Sequence, residues 1–464
     1  MSQPPHIERF EVAVTGAFLT GVPLKVKISE YADLQHRLGE DLRAGGGEDW
    51  DYEIGWQGTD TYGSGGGYTS SVPLVLVRRH GEALRSRLEE HYERRPDSET
   101  EWFRERLNGW SWKLCTVQVD IYDLGVGVIS GRYEVEPPPP LSLEESCRAV
   151  EAVGHLRRDP VSGLRSPLAE AYQVLANETV GSFAAAVDRC AGSNRRPAWS
   201  SPLLGADSSY GLAGRDGEGR LLWLHPVFIV EAEAGSETKE LRSLAQPFRP
   251  TFSKPIVYWD GLFVPGIATS VVVVRDRESG RHGPPLRLTG LMWAYYALFM
   301  EMDRALLAMV DDGPWEASDS LARLEDESKT IFGMYIRIQE AKTRLDSALT
   351  DLAGGQLSIW GTMADVQKFD DLVRAVEEKL EVLQRVAERR VEEAAASRAR
   401  RTGRILSGLT ALTVVTVAVA LIGNFIGTPA DALGHVEVRV AIVGAAFFLA
   451  LLLFLESQRE AERS

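Results

Sequence analysis

The stretch Ile405-Leu-Ser-Gly-Leu-Thr-Ala-Leu-Thr-Val-Val-Thr-Val-Ala-Val-Ala-Leu-Ile-Gly-Asn-Phe-Ile426 constrains this chain more than any other, because it carries no charge over about 22 residues. A helix that long covers a hydrocarbon core of roughly 30 Å. A second apolar run, Val440 to Leu455, reaches spanning length when Val436 to Arg439 are added. Glu437 and Arg439 then fall near an interface, where an arginine stem can snorkel. Two buried core helices are the competing reading, but core helices seldom stay uncharged for so long. The expectation is a two-helix transmembrane hairpin over 405–455, with spans 405–426 and 436–455.

The flanks orient such a hairpin. Arg398, Arg400, Arg401 and Arg404 immediately precede the first run, and the loop Gly427 to His435 has no lysine or arginine. The tail 456–464 carries Arg459 and Arg463 among three glutamates. The positive-inside rule then predicts both termini in the cytoplasm and a multi-pass inner-membrane protein with the lipid bilayer as partner. Met1-Ser-Gln-Pro-Pro has no basic region followed by an apolar core, so the bulk is expected to remain cytoplasmic.

Upstream, nothing in Lys368 to Arg404 stops a helix. Phe369, Val373, Val376, Leu380 and Leu383 recur at three- and four-residue steps. The pattern predicts one continuous helix of roughly 60 residues, about 90 Å at 1.5 Å per residue, running into the first span. A helix of that length calls for a helical partner, antiparallel or oligomeric. Ser318 to Leu352 supplies a second strongly helical stretch, broken at Gly354-Gly355, so 318–404 reads as an antiparallel helix pair.

The rest is mixed. His6 to Lys27, Asp51 to Gln57, Val72 to Val77, Leu221 to Val230 and Ile256 to Val274 read as strands. Lys113 to Tyr122 and Val126 to Val135 read as a hairpin turning at Asp123-Leu-Gly125. Tyr31 to Ala44, Gly81 to Arg94, Leu141 to Arg157, Ser166 to Cys190 and Leu288 to Val310 read as helices. Pro137 to Pro140 is a stiff segment and the best boundary, giving domains 1–136 and 141–312. The expected fold class is therefore an α+β cytoplasmic region of mixed sheets with helices, then a long-helix stalk, then the hairpin.

Net charge is −15 over 464 residues, which argues against a nucleic-acid partner bound through phosphate neutralisation. Cys115, Cys147 and Cys190 are far apart, fitting a reducing compartment rather than a disulfide or zinc scaffold. Gly63-Ser-Gly-Gly-Gly-Tyr68 lacks the Gly-Lys-Ser/Thr of a phosphate loop, and no Gly-x-Ser-x-Gly elbow occurs, so no enzyme is expected.

An α/β body, a long-helix pair, and a helix continuing into the first of two C-terminal spans resemble the CorA-type magnesium transporter superfamily, from about Leu141 onward. The resemblance implies a homo-oligomer, a pentamer in that family, with the first span lining a pore whose Gly-Met-Asn motif selects the ion. Here Gly423 and Asn424 are adjacent, so that spacing is broken. Candidate pore-lining residues are Thr410, Thr413, Val417, Ala420, Gly423 and Asn424. The same small stripe equally suits close helix packing. Asp311 and Asp312 are candidate ligands for a regulatory divalent cation, against the alternative of a helix-terminating turn. No resident cofactor is expected beyond magnesium or another transported or regulatory divalent ion. Two functions follow as expectations: a divalent-cation channel or transporter, or a non-conducting membrane-anchored sensor or effector.

Overall fold

The computed structural model describes residues 7–20, 31–46, 49–52, 75–93, 111–122, 125–136, 167–190, 220–232, 237–245, 254–258, 261–267, 269–275, 283–311, 321–350, 352 and 354–425, with 444, 447, 448 and 451 beyond. The strands are β1 (Ile7–Leu19), β2 (Trp50–Asp51), β3 (Val75–His80), β4 (Ser111–Tyr122), β5 (Val126–Glu136), β6 (Arg220–Ala232), β7 (Ile256–Tyr258), β8 (Gly261–Val264) and β9 (Ser270–Val274). The helices among the described residues are α1 (Tyr31–Gly46), α2 (Glu82–Glu93), α3 (Pro167–Cys190), α4 (Thr238–Ala245), α5 (Gly283–Asp311), α6 (Leu321–Thr350), α7 (Gly354–Gln367) and α8 (Phe369–Phe425).

The nine strands among the described residues form one sheet in the order β2-β3-β4-β5-β1-β6-β9-β8-β7. Neighbours pair antiparallel except β6 with β9. The sheet draws strands from both sides of Pro137 to Pro140, since β1 sits between β5 and β6. In β1 the alternation places Phe10, Val12, Val14 and Phe18 in one core, with Leu84 and Leu88 of α2, Tyr172 and Leu175 of α3, and Leu241 of α4. A continuing cluster joins Leu34, Leu38 and Leu42 of α1 to Ile121 and Phe183. On the opposite face α5 packs against β1 and β5. Covering both faces explains why Val271 to Val274 of β9 are all buried.

Backbone details fix the hairpin and a helix junction. Gly125 has φ +84 in the turn between β4 and β5, and its carbonyl accepts the Thr20 amide at 2.9 Å. Two residues on, a Cβ at Gly127 would lie 2.1 Å from Cζ of the buried Phe18, so only glycine lets that ring lie on the strand. Lys368, between α7 and α8, has φ 55. Left-handed backbone disfavours a residue with a Cβ. Lys368→Gly is therefore expected to raise stability by about 0.5–1 kcal/mol; chemical denaturation checks this, and a lower midpoint would refute it.

The chain divides into two compact units, 1–313 with 332–381 and 314–331 with 382–464. The long helix is observed: α8 is continuous over 57 residues. The transmembrane hairpin of the expected fold class is corrected. Among the described residues no helix is long and apolar enough to cross a membrane. From Phe369 to Arg404 α8 is rich in charge. Of the expected second span, Gly444, Phe447, Phe448 and Leu451 are described. The helix expected over Leu141 to Arg157, the loop expected over Ser193 to Glu218 and the Gly-rich loop Gly63 to Gly67 lie outside the described residues.

Candidate functional site

Among the described residues, three polar groupings of the sheet body stand out. His225 on β6 and Ser270 on β9 are buried, with Nε2 and Oγ 3.0 Å apart. The Gly266 amide donates to the same hydroxyl at 3.3 Å. The imidazole lies 4.8 Å from the Trp293 ring of α5. With both side chains sealed from solvent, this serine–histidine pair pins the parallel strands β6 and β9 and offers no path to a substrate.

The second grouping is a chain of charges across β1 and β5. Glu11, 2% exposed, accepts from Arg132 at 2.7 Å; Arg9 reaches Glu11 at 3.6 Å and also pairs with Glu134. Glu11 and Glu134 are direct cross-strand partners, so without the two arginines this register would set like charges side by side. Cys115 donates to Glu134 at 3.7 Å, and burial together with these carboxylates pushes its thiol up. The third grouping is the fork of Arg78 onto Asp120, at 2.6 and 3.2 Å, supported by Gln118 at 2.8 Å. Among the described residues no group of three His, Cys, Asp or Glu side chains stands ready for a metal. Of the expected acidic pair, Asp311 is the last residue of α5 and Asp312 lies outside the described residues.

The later part of α8 is open to a partner. Its first turns are tied down within the first unit. Phe369 meets the rings of Phe299 at 5.7 Å and Trp360 at 6.0 Å. Lys379 bonds Asp303 at 2.6 Å, Lys342 pairs with Glu377, and Val376 and Leu380 are buried. In the second unit Leu383 and Ala387 are still buried. From Glu392 to Arg404 most side chains are exposed, including Arg398, Arg400, Arg401 and Arg404. Then Ile405, Leu406, Leu409, Leu412 and Val417 are each more than half exposed, Ile405 at 65% and Leu412 at 63%. Apolar side chains this large in one continuous run mark an interaction surface.

The candidate pore residues are placed as follows. Thr410 and Thr413 are exposed, yet their hydroxyls donate to the carbonyls of Leu406 and Leu409 at 2.8 Å each, and Thr416 does the same to Leu412. Bonded to their own helix, they are less available to strip water from an ion. Val417 is exposed. Ala420, Gly423 and Asn424 lie in the last turns of α8, their side chains outside the described residues.

A neighbouring face is the more prominent one. Ile405, Leu409, Leu412 and Thr416 recur at steps of four, three and four, the spacing of a coiled-coil seam. Extended backward by the same steps, the seam passes Thr402, Arg398, Ala395 and Val391. It is offset by one position from the stripe of small residues, and it was hidden in the sequence because the whole run is apolar. No protein-family model, curated protein or solved structure matches this chain.

Proposed function

We propose that the protein is a non-conducting sensor or effector that works as a homo-oligomer, with the sheet body as its receiving part and the exposed stretch of α8 joining copies. The single observation that supports this reading is the seam Ile405, Leu409 and Leu412, solvent-facing on a helix too long to stand alone. The occupant that suits it is a second copy in parallel register, because that alignment sets apolar residues against apolar residues; an antiparallel copy would set them against the Glu/Arg-rich turns. Burial of each such side chain contributes about 1.5–3 kcal/mol. Arg398, on the same seam, then meets its own counterpart, and a charge at one seam position favours one register and oligomer size at some cost in stability.

Sedimentation velocity of the full chain tests the reading. At tens of micromolar the wild-type chain is expected to sediment as an oligomer, and Leu409→Asp with Leu412→Asp as a monomer with an unchanged circular dichroism spectrum. A monomeric wild type, or an oligomer indifferent to both changes, overturns the reading. So does a chain that stays monomeric while co-sedimenting with neutral lipid vesicles through these leucines, which would make lipid the partner.

A further inference from the structure

Helix α6 carries an exposed apolar patch within the first unit. Met334, Ile338 and Ala341 are buried, which turns Phe332, Tyr335 and Ile336 outward. Phe332 is 55% exposed and Ile336 39%, and the rings of Phe332 and Tyr335 stack with centroids 6.4 Å apart. Gly333 lies among them in the interior of the helix, where glycine weakens helical structure. A Cβ at Gly333 would meet nothing within 4 Å, so the chain's own packing does not require the glycine. A flat spot beside two large exposed side chains suits a second helix that approaches closely.

A second copy of α6, aligned in parallel, supplies such a helix. Gly333 and Ile336, three residues apart, form the seam. Glu340, the next seam position, is already paired with Arg344 at 2.7 Å and brings no bare charge. In parallel helices the residue before one seam position meets the residue five further along in the other copy. Phe332 of each copy then lies beside Arg337 of the other, an aromatic face against a guanidinium, and symmetry makes the contact twice. An antiparallel copy loses this match, because like flanks then face each other.

We infer that Phe332, Gly333 and Ile336 of α6 form a second contact between parallel copies of this chain, with each Phe332 ring on Arg337 of the other copy. This contact rests on the homo-oligomer reading and adds to the α8 seam a surface in the first unit.

Sedimentation equilibrium of the full chain tests it by giving the dissociation constant. Gly333→Leu fills the flat spot and is expected to raise that constant at least tenfold. The urea midpoint, taken at a concentration where the chain is dissociated, is expected to stay level or rise, since leucine is the better helix former. Ile336→Asp is expected to raise the constant at least tenfold with an unchanged circular dichroism spectrum. Phe332→Leu keeps apolar bulk but loses the ring, and is expected to raise it about fivefold. A wild-type oligomer that Leu409→Asp with Leu412→Asp dissociates, and that Gly333→Leu and Ile336→Asp leave alone, overturns this contact and spares the α8 seam. A monomeric wild type overturns both. A lower urea midpoint in Gly333→Leu overturns it too, since the glycine would then serve the chain's own packing, and an unchanged constant in Phe332→Leu overturns the parallel pairing of ring and guanidinium.

Discussion

Arg132→Met is expected to cost about 3 kcal/mol of stability, toward the lower end of what breaking a buried ion pair costs, because Arg132 itself is partly exposed. Glu11 would keep its longer contact to Arg9, 3.6 Å away, while remaining in the middle strand of the sheet. The carboxylate is 2% exposed, on a strand that is hydrogen-bonded on both edges. Removing both charges is a different matter. Glu11→Met with Arg132→Met leaves no orphaned ion and fills the space with apolar volume, so the double variant is expected to recover most of the loss. Urea unfolding of the wild type, both single variants and the double variant closes the cycle. Additive losses, with no recovery in the double variant, would show that the pair is not a coupled unit.

Alkali supplies the second large effect. Tyr122, Tyr172, Tyr258 and Tyr295 are all held above the ordinary phenol range, in each case chiefly because burial penalises the phenolate. Tyr172 adds a hydrogen bond from its hydroxyl to the Val14 carbonyl at 3.2 Å, which only the neutral form can donate. The sign follows directly. A group whose folded pKa is raised contributes stability fully present below its unfolded value, about 10 for tyrosine, and lost as pH rises above it. Stability is therefore expected to be level through neutral pH and to fall steeply above about pH 10. Of the thirteen tyrosines, these four should ionise only as the fold is lost, so their absorbance step near 295 nm coincides with loss of the circular dichroism signal. Tyr295→Phe should shrink that step by one tyrosine. Titration of all tyrosines near pH 10 with the spectrum intact would contradict the sealed core.

Local chemistry was legible and long-range pairing was not. The β4–β5 hairpin could be read because two alternating runs flank Asp123-Leu-Gly125, and α1, α2, α3 and α5 because their apolar periods are strong. The continuous helix α8 could be read because Lys368 to Arg404 contains no proline and no glycine before Gly403. Nothing local, by contrast, announces that β1 pairs with β5 more than a hundred residues later and with β6 more than two hundred later. Nor does Glu11 announce burial: in β1 it reads as an outward polar position, and only the cross-strand arrival of Arg132 beside Ala13 explains how it is tolerated. The apolar run from Ile405 was visible, but its meaning was not, because uniform hydrophobicity conceals which face is offered. No helix among the described residues is long and apolar enough to cross a membrane, and the run continues a helix that is charge-rich up to Arg404.

The central place of β1 has a consequence in time. The strand that holds the two halves of the sheet together is synthesised about two hundred residues before one of its two neighbours. At roughly 5–20 residues per second, its free edge waits on the order of 10–40 s for β6. During that interval Ile7 to Leu19 is a largely apolar strand with that edge unpaired, the kind of edge that recruits other chains. A growing chain of this protein is thus most exposed to aggregation before its own middle has been made, and a chaperone that shields nascent strands would act on this segment first.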